Sequence, residues 1–338
     1  MMNDFYILPL EQKRLILSSA ETIIGLPAAA IEKDLWVTCV LQLLFSIDIH
    51  AEFLFKGGTS LSKAGNLIQR FSEDIDIAIN PAILGFSGDL TKKQIKRLRK
   101  ASSLFVEQIL AVKLREVIQS NNLHHFLTVD VEPEGEGDAT YPEPRRIFVR
   151  YPSIVSQQYD YLKDTVVLEI GARSLMEPVH LLHVKSLVES NFQNIRTSVQ
   201  DPEIATSTPA KTFLEKTFLL HELFSVNENA GRANHRSRHL YDLERMMDMP
   251  FAVAAINDNN LWESIQHHRS IYTAVQNVDY AKDLRKEIVL VPPANVIAAW
   301  ETDYNDMCQT MIYGEKLPFG QLLERIQELE ARFHTLRH

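Results

Sequence analysis

Asp74 and Asp76 stand two residues apart in an otherwise apolar run, Asp74-Ile75-Asp76-Ile77-Ala78-Ile79. Successive strand side chains point to opposite faces. In a β-strand the two carboxylates therefore project to one side, roughly 6.5 to 7 Å apart, while Ile75, Ile77 and Ile79 turn the other way into a core. Carboxylates placed like this can share Mg2+ or Mn2+, and two such ions roughly 3.5 to 4 Å apart clamp the attacking and leaving oxygens of a phosphoryl displacement. Upstream lies Phe55-Lys56-Gly57-Gly58-Thr59-Ser60-Leu61-Ser62-Lys63, an apolar strand running into a double-glycine turn. Gly57 and Gly58 have no side chains, so backbone N–H groups there can approach phosphate oxygens, and Thr59-Ser60 can open a helix whose positive end faces an anion. Ser60 and Ser62 add hydroxyls, and Lys56 and Lys63 flank the turn with cations. A D-x-D alone reads as the wet face of an edge strand, and Gly-Gly alone as a turn. Together, one helix-length apart, they make one geometry for a metal-bound triphosphate.

The elements that would position these residues are legible in outline. Helical periodicity covers residues 11–22 and 27–47, the second beginning near Pro27, which suits a first-turn position. Strands are expected at Phe53–Lys56, Ile75–Ile79, Phe126–Val131, Ile147–Tyr151 and Thr165–Ile170, interrupted by a long helix from about Thr91 to Gln119. The stretch Glu132-Pro133-Glu134-Gly135-Glu136-Gly137-Asp138 reads as a hairpin connection with an acidic tip. From about residue 178 the pattern becomes almost entirely helical, with a proline-containing interruption near 200–209. The expected fold class is α+β: a small mixed β-sheet core flanked by helices over residues 1–177, then a mainly helical C-terminal lobe over 178–338.

The order strand, GG[ST], helix, D-x-D strand resembles the polymerase-beta-like nucleotidyltransferase superfamily. The wording F-K-G-G-T-S-L-S-K followed by R-F-S-E-D-I-D-I is similar to the nucleotidyltransferase toxins of the AbiEii/AbiGii type. Ile31-Glu32-Lys33-Asp34-Leu35-Trp36-Val37 is similar to that family's upstream E-K-D segment. Leu214-Glu215-Lys216-Thr217-Phe218 resembles its lysine motif and Arg238-His239-Leu240-Tyr241-Asp242-Leu243 its R-D-x-Y-D-L motif, with His239 where the family usually has an acid. Asp303-Tyr304, Met307 and Met311-Ile312-Tyr313-Gly314-Glu315 resemble its C-terminal tail.

The resemblance implies a two-metal nucleotidyl transfer site, which requires one more carboxylate on a neighbouring strand. Glu169, on the face of Thr165–Ile170 opposite Leu168 and Ile170, is the expected third acid, and Asp130 is its competitor. Lys216 sits in an apolar helix, where a lysine can snorkel to the surface or serve as a point charge on a triphosphate. Asp242 can orient Lys216 or a base, or pair with Arg238 at i,i+4. The match to the family's motifs implies functional roles for both. Lys33 and Asp34 either brace the site or cap and solvate a helix.

Composition limits the function classes. The 338 residues, 45% of them hydrophobic, supply two cores, and no apolar run reaches the ~20 residues that cross a bilayer. The opening Met-Met-Asn-Asp-Phe-Tyr lacks the basic and apolar regions of a signal peptide, so a cytoplasmic protein is expected. Cys39 and Cys308 form no disulfide framework or zinc motif. A net charge of −9 argues against a blanket nucleic-acid coat but leaves room for a local basic patch. Lys92, Lys93, Lys96, Arg97 and Lys100, with Arg99 between them, form such a patch on a helix after the D-x-D strand; it is either a solvated face or a docking surface for RNA. Arg232, Arg236 and Arg238 are a second option. His235 and His239 have the spacing of a metal pair without a third ligand.

The expected function is transfer of a nucleotide from an NTP to an acceptor hydroxyl, with Asp74, Asp76 and Glu169 holding Mg2+ or Mn2+. Lys56, Gly57, Gly58, Thr59, Ser60, Lys63 and Lys216 are expected around the nucleotide. The resemblance implies a toxin of a toxin-antitoxin or phage-defence pair, a cognate antitoxin, and RNA, with the tRNA 3′ end as one target. A protein or small-molecule acceptor, or a nucleotide-binding module without catalysis, is the alternative.

Overall fold

Sheet pairing gathers seven short strands between Phe53 and Ser207 into one mixed sheet. The computed structural model describes residues 3–63, 65–72, 74–135, 140–155, 162–226 and 235–336. They form two compact units, one built from 1–64 and 71–207, the other from 65–70 and 208–338. Arg232 and the loop residues Glu136, Gly137 and Asp138 lie outside the described residues.

The first unit runs β1 (Asn3–Asp4), α1 (Leu10–Ile24), α2 (Ala28–Leu44), β2 (Phe53–Lys56), α3 (Gly57–Lys63) and β3 (Asp74–Ile79). It continues with α4 (Lys92–Phe105), α5 (Ala111–Ser120), β4 (Thr128–Val131), β5 (Arg145–Arg150), β6 (Thr165–Gly171), β7 (Val179–Leu182), α6 (Leu187–Asn191), β8 (Ile195–Arg196) and β9 (Ile204–Ser207). The sheet order is β4-β5-β6-β3-β2-β9-β7, while β1 and β8 pair separately in parallel. β3 is parallel to β6 and antiparallel to β2, so the acid-bearing strand is central. The α+β class is as expected, but β7 and β9 extend sheet pairing past residue 178, where the pattern is mostly helical. These strands are only four residues long, too short for a clear alternation.

One face of the sheet is dry. Ile75, Ile77, Ile79, Ile147, Val149, Val166, Leu168 and Ile170 are all buried. α2 is buried on every side, as a helix apolar all round must be, and it carries Glu32, Lys33 and Asp34 inside with it. Glu32 accepts hydrogen bonds from the Ser153 hydroxyl (2.6 Å) and the Ile154 N–H (2.9 Å), and burial pushes its pKa up. Among the described residues no single helix is long and apolar enough to cross a membrane.

The second unit is helical: α7 (Pro209–Phe224), α8 (Arg238–Met246), α9 (Pro250–Asn257), α10 (Asn259–Tyr272), α11 (Ile297–Thr310) and α12 (Phe319–His334). Its core is aromatic, with Trp262 between Phe218 (ring centroids 4.4 Å apart) and Phe333 (5.5 Å). The C-terminal motif holds residues 65–70 inside this unit. The N–H groups of Tyr313 and Gly314 both donate to the Gln69 carbonyl, at 3.1 and 3.3 Å, and Ile312 bridges Arg70. Gly314 has no room for a side chain, since a Cβ there would meet Gln69 Oε1 at 2.0 Å.

Candidate functional site

Strand register decides which acids share a face. Asp74 and Asp76 alternate with buried isoleucines on β3, and both are half-buried. Asp76 pairs in register with Glu169 of the parallel neighbour β6 and with Lys56 of the antiparallel neighbour β2. Asp74, Asp76, Glu169 and Lys56 therefore lie on one face. Asp130, the other candidate for third acid, lies on the edge strand β4, beyond β5 and β6 and so roughly 14 Å from β3 at ordinary strand spacing. It is ion-paired with Arg150.

The glycine turn sits against this face. Gly57 opens α3 with φ +80°, a conformation that side chains disfavour. A Cβ built on it would meet Asp76 Oδ2 at 2.0 Å and Cγ at 2.8 Å, so the backbone touches the carboxylate because there is no side chain between them. The hydroxyls that follow fix the turn. The Thr59 hydroxyl reaches the Asp74 carbonyl and lies 2.9 Å from the Ser72 hydroxyl, and the Ser60 hydroxyl donates to the Gly57 carbonyl at 2.8 Å. Lys63 sends its ammonium inward to Asp34 (2.5 Å) and the Thr38 hydroxyl (2.7 Å), while Asp34 also accepts from the Leu187 N–H (2.7 Å). Lys63 and Asp34 thus brace α3 against α2 and α6.

By type and register the carboxylates suit a hard divalent cation, which prefers oxygen ligands. Among the described residues, however, no three His, Cys, Asp or Glu side chains converge as a metal group in their present rotamers. Glu169 has another partner. Arg146, opposite Glu169 on β5, donates from Nε to Glu169 Oε1 at 2.9 Å and lies 3.6 Å from Glu132.

The second unit holds a buried charge cluster. Asp242, fully buried on α8, accepts two hydrogen bonds from Arg70, Nε to Oδ1 at 2.7 Å and Nη2 to Oδ2 at 2.8 Å, and pairs with the Lys216 ammonium of α7 at 2.9 Å. Lys216 is itself buried rather than snorkelling, and Asp242 pairs with Arg70 and Lys216 instead of with Arg238. Burial alone would raise the Asp242 pKa; the Arg70 guanidinium and then the Lys216 ammonium override it and hold the carboxyl well below the usual carboxylate range. Burial lowers the Lys216 pKa, and Asp242 partly offsets that. His239 lies 3.4 Å from Lys216 Nζ, and burial followed by that ammonium holds the imidazole neutral. A cation close by disfavours a charged imidazole. Asp303 accepts the N–H groups of His235 (2.6 Å) and Ser237 (2.9 Å) just ahead of α8, so the Asp303-Tyr304 motif sets the helix that carries Asp242.

On α4, Lys92, Lys93, Lys96, Arg97 and Lys100 are all exposed, and none of the five pairs with a carboxylate among the described residues. Lys100 lies over the Tyr141 ring at 5.1 Å. Arg70 and Arg146 are the two site residues that sequence reasoning missed. Arg70 stands in the quoted motif but finds its partner 172 positions away, and Arg146 meets Glu169 only through strand register.

A family model described as the nucleotidyl transferase AbiEii toxin of a type IV toxin-antitoxin system matches residues 42–327. Two solved structures are similar. One is the nucleotidyltransferase toxin MenT4 from Mycobacterium tuberculosis H37Rv, at 17% identity and a TM-score of 0.48, covering 92% of this chain and 85% of that one. The other is JHP933 from Helicobacter pylori, at 13% identity and a TM-score of 0.43, covering 91% and 93%. A search of curated proteins gives no match.

Proposed function

This chain belongs to the AbiEii family of nucleotidyltransferase toxins, and we propose that it moves a nucleotide from an NTP to a hydroxyl on RNA, the tRNA 3′ end first among them. Membership makes it a nucleotidyltransferase of a type IV toxin-antitoxin system, with an NTP as co-substrate and a cognate antitoxin. The observation that carries the chemical reading is the register of Asp76 with Glu169, which puts three carboxylates on one face beside the Gly57 turn.

In this reading Asp74, Asp76 and Glu169 hold Mg2+ or Mn2+, which when bound would neutralise triphosphate charge and lower the pKa of the acceptor hydroxyl. The N–H groups of Gly57 and Gly58, in the first turn of α3 and without intrahelical partners, bind phosphate oxygens. Thr59 and Ser60 keep that turn closed, and Lys63 anchors its far end. Lys216, its ammonium oriented by Asp242 within the helical unit, is proposed as a phosphate-binding cation. The acceptor oxygen attacks the α-phosphorus in line, its proton passes to a carboxylate of the triad, and pyrophosphate leaves. Positioning and charge neutralisation supply the rate. The exposed cations of α4 are the RNA docking surface.

The test is incubation with labelled nucleotides and total RNA, protein extract or small hydroxylated acceptors, with Asp76→Asn as the control. Label on RNA 3′ ends that vanishes in the variant supports the reading. Label only on protein or small molecules would sink the RNA acceptor, and label persisting in Asp76→Asn would sink the acid assignment.

A further inference from the structure

Glu169 faces two claims on one carboxylate. The proposed metal site needs its oxygens, yet Arg146 already binds Oε1 at 2.9 Å from the adjacent strand. The ion pair follows from the backbone, since Arg146 and Glu169 are register partners and both point to the acid face. Glu132 contacts the arginine as well. It lies 3.6 Å from the guanidinium, and its carboxylate accepts the Arg146 N–H at 3.2 Å. Arg146 is thus a cation on the acid face, with Asp74 and Asp76 one strand beyond Glu169 and Lys56 beyond them.

We infer that Arg146 is a positioning residue that holds Glu169 while no divalent cation is bound and yields it when one enters. A guanidinium neutralises neighbouring carboxylates with a fixed fork of N–H donors, so the acid row can exist without metal and without strong mutual repulsion. The same fork occupies lone pairs that a cation would use. Arg146 is 46% exposed and Glu169 26% exposed, so the pair is weak enough to be exchanged at modest cost. This inference rests on the reading of Asp74, Asp76 and Glu169 as metal acids, and its test separates the two.

Mn2+ binding to the free protein is measured by calorimetry or by the electron paramagnetic resonance signal of unbound Mn2+, for the wild type, Arg146→Gln and Asp76→Asn. Arg146→Gln should bind Mn2+ about three- to tenfold more tightly, because it removes both a competitor for Glu169 and a nearby positive charge. Its melting temperature should match the wild type, since the side chain is half exposed. If Asp76→Asn loses Mn2+ binding while Arg146→Gln binds no more tightly than the wild type, the role of Arg146 is overturned. If Asp76→Asn binds Mn2+ as well as the wild type, the metal reading itself fails and the inference with it. A role confined to fold stability would lower the melting temperature of Arg146→Gln and leave Mn2+ affinity where it was.

Discussion

The Asp76 carboxylate stands where a side chain on Gly57 would have to be: a Cβ there would come within 2.0 Å of Asp76 Oδ2. The glycine is needed twice, once for its φ of +80° and once for the carboxylate. Gly57→Ala should therefore do more than strain a turn. The backbone cost is about 1 to 2 kcal/mol, which the fold should survive. The displaced carboxylate matters more, since a shift of about 1 Å at a reacting centre can cost roughly 100-fold in rate. The expected outcome is a folded protein, by circular dichroism, with nucleotide incorporation down at least ~100-fold. Near-wild-type incorporation would mean that the Asp76 position is not critical.

The buried cluster makes a separate prediction about stability. Arg70 meets Asp242 with two hydrogen bonds, at 2.7 and 2.8 Å, and Lys216 adds one contact at 2.9 Å. Removing one partner of a buried pair leaves an uncompensated charge, a loss on the order of 3 to 5 kcal/mol. Arg70→Ala should reach that range in urea unfolding, whereas Lys216→Met, which leaves the two-pronged contact in place, should cost about 1 to 3 kcal/mol. Arg70→Met with Lys216→Met and Asp242→Leu, which removes all three charges together, should recover much of the loss. Equal costs for the two single variants would show that Arg70 is not the principal partner.

How much of this was legible in the sequence depends on the range of the interaction. Phe53–Lys56 and the acid strand read correctly because alternation and a glycine turn are local signals. The α4–α5 helical stretch read correctly because its period runs for many residues. Register is not local, so Arg146 was invisible beside Glu169; the expected strand begins at Ile147, one residue after it. Partner choice is not local either. Lys63 has the sequence of a phosphate ligand beside a glycine turn, but its ammonium goes to Asp34, 29 positions upstream. Arg70 lies in the most informative motif of the chain, yet its role depends on α8.

Acid should weaken the helical unit, through groups whose folded pKa values are depressed. His268 is pushed down to about 4, chiefly by burial and then by Arg269, and burial also lowers His221 and His239. A neutral buried histidine contributes fully above its unfolded pKa of ~6.5, and that contribution drains away as pH falls toward the folded value. Between pH 6.5 and 4 His268 removes up to about 1.4 kcal/mol per pH unit, and His221 and His239 act in the same direction. Asp242 acts in the same direction lower down, with its contribution intact above about pH 4 and lost on further acidification. Urea midpoints should fall steadily from pH 7 to pH 4, and His268→Asn should flatten the slope. A midpoint independent of pH in this window would contradict the assignment.

The basic face of α4 gives the last test, because electrostatic docking has a signature that folding does not. Lys92, Lys93, Lys96, Arg97 and Lys100 are exposed and carry no carboxylate partner among the described residues, so their charge is available to phosphates. Each phosphate neutralised on a single strand contributes roughly 0.7 to the slope of log affinity against log salt. Lys92→Ala with Lys96→Ala and Arg97→Ala should reduce that slope by up to about 2 and weaken RNA binding roughly tenfold or more at low salt. Stability should stay within about 0.5 kcal/mol per site, since surface changes away from special contacts cost little. Fluorescence anisotropy across a salt series reads the slope, and nucleotide binding without RNA reads the active site independently. A triple variant that keeps the wild-type salt slope would place the RNA elsewhere, and the second set of arginines, Arg236 and Arg238, would then be the surface to change.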